Sequence, residues 1–148
     1  MGTPFENIYG QALIVIRDYR LDKLAQTDYA SFLLHLQGIL INAIPRFSGC
    51  LQSLDYDLNA VPPAFINDLS LSEQAILADF MVLVWFMNDT NDITQINLHL
   101  QGRDKKTHSE SANLKEKTKY LIDLRERVIQ RISDYQLEDD SFNKIFGL

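Results

Sequence analysis

The 148-residue sequence has few residues that could cross-link it or interrupt its helices. It contains one cysteine, Cys50, four prolines and six glycines. A single cysteine excludes an internal disulfide, and this usage is typical of proteins that fold in a reducing compartment. With 46% apolar and 23% charged residues, the chain can bury a core as one globular domain without disulfides or metal ions.

The chain also lacks an excess of positive charge. Its formal net charge is −6, and a globally acidic chain is a poor general binder of nucleic acid, because phosphate contact needs clustered Lys and Arg. Nine of the fourteen cations nevertheless lie between Arg103 and Arg131, together with five acids. This basic stretch could contact phosphate, but we expect a solvated helix face with ion pairs between neighbouring turns.

Neither a secretory signal nor a membrane span is predicted. The N-terminus has no basic region followed by an apolar one. The longest apolar run, residues 75–87, carries Asp79 and is shorter than the roughly 20 residues that cross a bilayer. We interpret this run as a buried helix.

Apolar residues recur at three- and four-residue intervals, which predicts an all-α fold. We expect a single-domain bundle of about five helices with a long C-terminal helix and an extended C-terminal tail. Helices are predicted over about 5–16 and from about 28 to Pro45, which should end the second one. An irregular segment follows over 46–69. Ser70 and Glu73 then form a capping-box pattern that starts a central helix over about 71–87.

The C-terminal half is predicted to contain a turn at 88–92, a short helix to about 101 and a last long helix. Thr107 and Glu110 form a second capping-box pattern where that helix should start. We predict a bundle domain over 1–137 and a docking tail over 138–148, in which an acidic spacer precedes four apolar residues. The last helix carries apolar residues at nearly heptad spacing: Leu114, Leu121, Leu124, Val128, Ile132 and Tyr135.

No catalytic signature is present, so we predict neither enzymatic activity nor a cofactor. The sequence has no nucleophile elbow and no glycine-rich phosphate loop. His99 and His108 lie nine residues apart without a nearby cysteine, which does not fit zinc-ligand spacing, and no metal is predicted. We expect Cys50 to be buried and inert, and His35 to lie at the boundary of the core.

Asp79 is the one carboxylate in an unusual place, within the apolar run. A lone buried acid can have a raised pKa and act as a general acid. We favour the alternatives that it pairs with Arg or Lys, caps a neighbouring element or faces a subunit interface.

Four segments carry a resemblance to a known family: "IYGQALIVIRDYRL", "AIPRFSGCLQSLDYDL", "DLSLSEQAILADFMVLVWF" and "LHLQGRDKKTHSESANLKEKTKYLIDLRERVIQRISDYQL". In pattern and order they resemble the small helical head-tail connector proteins of tailed bacteriophages, also labelled neck, adaptor or head-completion proteins. The resemblance covers about residues 5–137 and includes no catalytic motif. The last eleven residues lie outside it.

The resemblance implies a structural virion protein that is assembled in the host cytoplasm. It implies a homo-oligomeric ring, dodecameric in the family, which joins the portal protein to the tail or to a second neck protein. DNA would pass through its channel and be contacted non-specifically at most, since an acidic lining does not retain phosphate. No membrane is involved, and the isolated chain is expected to stay monomeric until it meets the portal.

The alternative is a small helical regulatory protein that binds a single cellular partner. Under the connector hypothesis the tail docks on another subunit; it could equally fold back on its own bundle or be disordered. The candidate interface residues are three in the basic turn and four in the tail: Lys105, Lys106, His108, Phe142, Ile145, Phe146 and Leu148.

Overall fold

The structure, a computed structural model, describes the backbone of residues 2–100 and 107–146 and the side chains of residues 2–89 and 115–138. Five α-helices, one 3₁₀ turn and one short antiparallel strand pair make up these parts. The helices are α1 (Phe5–Val15), α2 (Tyr19–Thr27), α3 (Tyr29–Ala43), α4 (Leu71–Leu100) and α5 (Thr107–Phe146). The strands are β1 (Tyr56–Asp57) and β2 (Ala64–Phe65), and the 3₁₀ turn is Ile44–Arg46. The predicted all-α class and long C-terminal helix are therefore confirmed.

Helix α4 lies at the centre, because it is apolar nearly all round. It packs against α1 and α3 on one side and against α5 on the other. Every residue from Ile76 to Val84 except Asp79 is buried. Phe5, Ile8, Tyr9 and Ala12 of α1, together with Ile16 just after it, are buried at helical spacing. The capping box at Ser70 and Glu73 is confirmed, since each side chain accepts a hydrogen bond from the other residue's backbone N–H, at 3.2 and 2.8 Å.

Helices α4 and α5 form an antiparallel pair whose register is set by polar contacts along its length. Tyr135 lies beside Glu73, Arg131 beside Asp79, and Lys117 beside Asp89. Between these contacts the predicted heptad residues of α5 face α4: Leu124 and Val128 are buried, and Leu121, Ile132 and Tyr135 are partly buried.

The segment predicted to be irregular contains the β1–β2 hairpin, whose strands pair Tyr56 with Phe65 and Asp57 with Ala64. Its base is fixed to the chain's N-terminus: Thr3 and Phe65 share a backbone hydrogen bond of 2.8 Å, and the ring of Phe65 lies 4.9 Å from that of Phe5. A Cβ at Gly2 would collide with the Phe65 carbonyl, so this close approach needs glycine.

Two element boundaries differ from the sequence-based prediction, and so does the orientation of one residue that the helical spacing over 29–44 predicts to face inward. Helix α2 occupies residues that were expected to interrupt the pattern, because the Asp18 side chain caps it by accepting from Arg20 N–H at 2.9 Å. The predicted turn at 88–92 is absent and α4 continues to Leu100, where Asp89 is stabilised by Lys117 of α5 at 3.1 Å. Tyr29, expected to face inward, is exposed.

The predicted extended tail is helical over most of its length. Helix α5 continues without a break from Thr107 to Phe146, across the boundary expected at residue 138. No proline or glycine lies between Thr107 and Phe146, so nothing in the acidic spacer forces the helix to end. Whether this segment docks on another subunit stays a prediction.

Replacing Leu77 by Ala should destabilise the fold by about 2–5 kcal/mol, because the lost side chain leaves a cavity in the packed core. Leu77 is 0% exposed in the middle of the α1–α4–α3 contact. Leu71→Ala, on the same helix but 81% exposed, is the matched control and should change stability by less than about 0.5 kcal/mol. Urea unfolding followed by circular dichroism measures both; equal effects would contradict the central position of α4.

Candidate functional site

The carboxylate of Glu73 holds three segments of the chain together. The side chain is only 2% exposed. Its Oε1 accepts from Ser70 N–H at 2.8 Å and from Gln52 Nε2 at 2.6 Å, and its Oε2 accepts from the Tyr135 hydroxyl at 2.7 Å and the Cys50 thiol at 3.2 Å. Four donors therefore fill the four lone-pair positions of one carboxylate. They come from the start of α4, the segment after the 3₁₀ turn, and α5.

This arrangement keeps Glu73 ionised without a cation among its hydrogen-bond partners. Burial acts to raise the pKa of its carboxyl, but the hydrogen bonds from Ser70, Tyr135 and Cys50 outweigh burial and lower that pKa. The same environment acts in the opposite direction on Cys50: burial, with the nearby Glu73 carboxylate, raises the pKa of the thiol to about 11. The cluster holds three segments of the chain together, and its thiol is not an activated nucleophile.

Asp79 forms the ion pair that the sequence analysis favoured. Its Oδ2 lies 2.6 Å from Nη1 of Arg131. Burial raises the pKa of the Asp79 carboxyl, and the positive charge of Arg131 partly offsets this effect. Asp79 thus helps to bind α5 to α4.

A cavity of about 240 Å³ lies between α2, α3 and α4. The Trp85 indole N–H closes one side of it by donating to Asp18 at 3.1 Å. Arg20 lies 3.3 Å from Asp89 across the opening, and the predicted boundary residue His35 is exposed at its edge. The acids that line this cavity, Asp18 and Asp89, are each paired with a group of the same chain. Within the described residues, no cluster of three or more His, Cys, Asp or Glu could hold a metal ion.

The hairpin surface is one of several places where the described residues expose apolar side chains. It comprises the tip of the β1–β2 hairpin and its flanks: Asp55, Asp57, Leu58, Val61 and Ile66. Val61 is 98% exposed, so its isopropyl group makes almost no contact within the chain. The surface is also acidic, since the sequence contains no Lys or Arg between Arg46 and Arg103.

The outer α5 surface is another such place, on the side of the helix not packed on α4: Lys115, Lys119, Ile122, Asp123, Arg125, Glu126 and Ile129. Ile122 and Ile129 are 51% and 58% exposed. They lie seven residues apart and so on one helix face. Three exposed cations and two exposed acids, Asp123 and Glu126, lie around them, which gives this surface a small positive balance.

Sequence reasoning missed both surfaces. For the hairpin, the signal was available: apolar Leu58 and Val61 stand among turn-forming Asn and Pro residues in a stretch without cations. For α5, the heptad pattern was interpreted as a core face, and the second pair, Ile122 and Ile129, on the opposite face was not considered.

The residues predicted as an interface lie outside the part whose side chains are described. Lys105, Lys106 and Leu148 fall outside the described residues. The backbone of His108 is in the first turn of α5, and that of Phe142, Ile145 and Phe146 is in its last turns. Their contact role stays a prediction.

Among the residues that the structure describes, one segment, Leu71–Asp89, is long and apolar enough to span a membrane by length and composition, but 61% of it is buried inside the protein. This burial is typical of the core helix of a globular protein and agrees with the prediction of a buried helix.

The wild-type chain should lose stability relative to Glu73→Gln as the pH falls below the ordinary glutamate pKa of about 4.3. The folded-state pKa of Glu73 is lowered, so its contribution is present above the ordinary value and disappears as the pH falls through the folded one. At neutral pH, where a glutamine amide cannot accept four hydrogen bonds, the variant should be less stable by about 1–3 kcal/mol. Urea unfolding of both proteins between neutral and acid pH measures the difference, and a pH-independent gap would contradict this role.

Cys50 should react slowly with iodoacetamide at pH 8, because a thiol whose pKa is about 11 is almost wholly protonated there. In the urea-unfolded chain the pKa of the thiol returns to about 8.5, and alkylation should be roughly a hundredfold faster. Mass spectrometry of timed samples measures both rates; similar rates would contradict the protected position beside Glu73.

The chain was compared with protein families, curated proteins and solved structures. No family model, no curated protein and no solved structure matches it.

Proposed function

We propose that this protein is a structural subunit of the neck of a tailed bacteriophage, which assembles between the portal protein and the tail or a second neck protein. The observation that carries the assembly role is the presence of two unlike exposed apolar surfaces, at the hairpin and on the outer face of α5. The resemblance of four segments to head-tail connector proteins is the reason for placing this assembly at the neck of a phage.

Two unlike surfaces suit a subunit with two neighbours. A symmetric dimer uses one surface on both partners, whereas a ring needs two different surfaces that bind head to tail. Exposed apolar side chains grouped on one surface are typical of protein-binding sites. A subunit of a closed ring would cover both.

The chemistry of the described polar groups also favours assembly over catalysis. The partly or fully buried carboxylates of Asp18, Glu73, Asp79 and Asp89 each bind a donor or a cation of the same chain. These contacts join helices to one another, so the interior acids already have partners within the fold.

The net charge of −6 suits a subunit that surrounds a DNA channel. Negative side chains repel the phosphate backbone and allow it to pass, whereas clustered cations would retain it. The predicted basic turn with Lys105, Lys106 and His108 and the segment 138–148 are the proposed contacts with the portal and the neighbouring neck proteins.

Mass photometry of the purified chain, alone and mixed with purified phage portal rings, tests this function. We expect a monomer alone and a discrete high-mass complex with the cognate portal. Deleting residues 138–148 should abolish the complex, while the contacts of Tyr135 and Gln136 with the body keep the truncated chain folded.

Lys105→Glu with Lys106→Glu is the companion variant. A complex that is lost only in this variant would move the portal contact from the tail to the basic turn. Absence of a complex with every portal tested would overturn the neck assignment and favour a single cellular partner.

A further inference from the structure

We propose that the hairpin surface of one copy binds the outer α5 surface of a neighbouring copy, an inference that rests on the proposed assembly function and names the contact between subunits. Val61 and Leu58 would pack against Ile122 and Ile129. The occupant of each surface is therefore the other surface of an identical chain.

The apolar groups at both surfaces are available for this contact. Val61 is 98% exposed, and Ile122 and Ile129 are 51% and 58% exposed, so about half or more of each side chain is accessible. Burying a large apolar side chain contributes roughly 1.5–3 kcal/mol. The two surfaces do not meet within one molecule, so both can be bound by a second molecule.

Charge is the observation that selects a copy of this chain as the partner. Around the hairpin tip the exposed charges are Asp55 and Asp57, in a stretch of sequence without Lys or Arg. Around Ile122 and Ile129 they are three cations and two acids, Asp123 and Glu126, a small positive balance. An acidic-apolar surface opposite a basic-apolar one gains favourable electrostatics, whereas either surface opposite itself places like charges together.

The hairpin is prepared for binding because its base is rigid. Phe65 is buried, and backbone hydrogen bonds join Thr3 to Phe65 at 2.8 Å and Phe5 to Pro63 at 3.0 Å. The Asp57 side chain accepts from Asn59 N–H at 2.8 Å, which orders the turn. A tip that is already ordered loses little conformational entropy when it docks.

A single contact of this size should be weak. Stable complexes bury roughly 800 Å² on each partner, and a few side chains at a hairpin tip cover much less. Many copies gathered on one platform bind cooperatively, because each later contact is effectively intramolecular. The inference therefore agrees with a monomer in dilute solution and a ring on the portal.

Disulfide trapping tests the contact. The chain has one cysteine, so a Cys50→Ser background, which keeps a hydroxyl donor near Glu73, can carry Val61→Cys with Ile129→Cys. Diamide would oxidise two thiols of adjacent copies to a disulfide and be reduced itself. The chain would be treated concentrated and alone, and again bound to portal rings, then separated by non-reducing electrophoresis.

The double variant should form a ladder of dimers, trimers and higher oligomers, since each copy offers both halves of the contact. A mixture of the two single variants should stop at dimers, and each single variant alone should give none. Leu34→Cys with Ile129→Cys, in which the replaced leucine is also exposed but lies on α3, is the matched control and should give no ladder. Added salt should lower the ladder's yield, because it screens the opposite charges.

The outcomes separate this inference from the proposed function. Dimers from Ile129→Cys alone would overturn it in favour of an α5–α5 contact. A portal complex without a ladder would overturn the contact and leave the neck function standing. A ladder without any portal binding would support the contact and remove the phage assignment.

Discussion

The buried carboxylate of Glu73 is the interaction on which the arrangement of the chain depends. It accepts four hydrogen bonds, two of them from the segment between the 3₁₀ turn and the hairpin and one from α5. A buried charge is costly unless its lone pairs are satisfied. The chain satisfies them only when the start of α4, the segment around Cys50 and the C-terminal half of α5 are all in place. Glu73, which caps α4, therefore also holds α5 in place.

The hydrogen bonds around Glu73 also fix the positions of the two exposed surfaces. Tyr135 uses one hydroxyl to accept from Leu51 N–H and to donate to Glu73, so α5 and the segment that leads into the hairpin are held by a common group. Further along, the ion pair between Asp79 and Arg131 sets the rotation of α5, and this rotation leaves Ile122 and Ile129 outside. A subunit that binds neighbours through two surfaces needs such rigidity, because a ring closes only if the angle between the contacts is constant.

The polar contacts stabilise the fold, whereas the exposed apolar groups are the ones that we propose bind other subunits. The interior acids are engaged in joining helices, whereas the hairpin tip and the outer face of α5 carry apolar groups that stay largely exposed in the monomer. Exposed apolar surface of this kind is a hazard for a solitary protein. It is expected in a protein whose final environment is an assembly, where weak contacts are repeated around a symmetric platform.

The sequence by itself determined the helical class, the central helix and its start. Period-3.6 spacing marks the buried face of α1, the apolar run marks α4, and Ser70 with Glu73 marks the cap, because these signals act within one turn or a few turns of chain. The pairing of Asp79 with a cation was also foreseeable, since a charge within an apolar run needs a partner.

Only the tertiary structure decided the continuity of α4 through residues 88–92, the helical backbone of 138–146, and the partners of Glu73 and Asp79. The cap-like residues of the expected turn also occur inside helices when a neighbouring element satisfies them, as Lys117 does for Asp89. Which face of α5 is covered depends on contacts between residues more than fifty positions apart, such as Arg131 with Asp79. Local patterns do not encode such distances, because they arise only when the chain closes on itself.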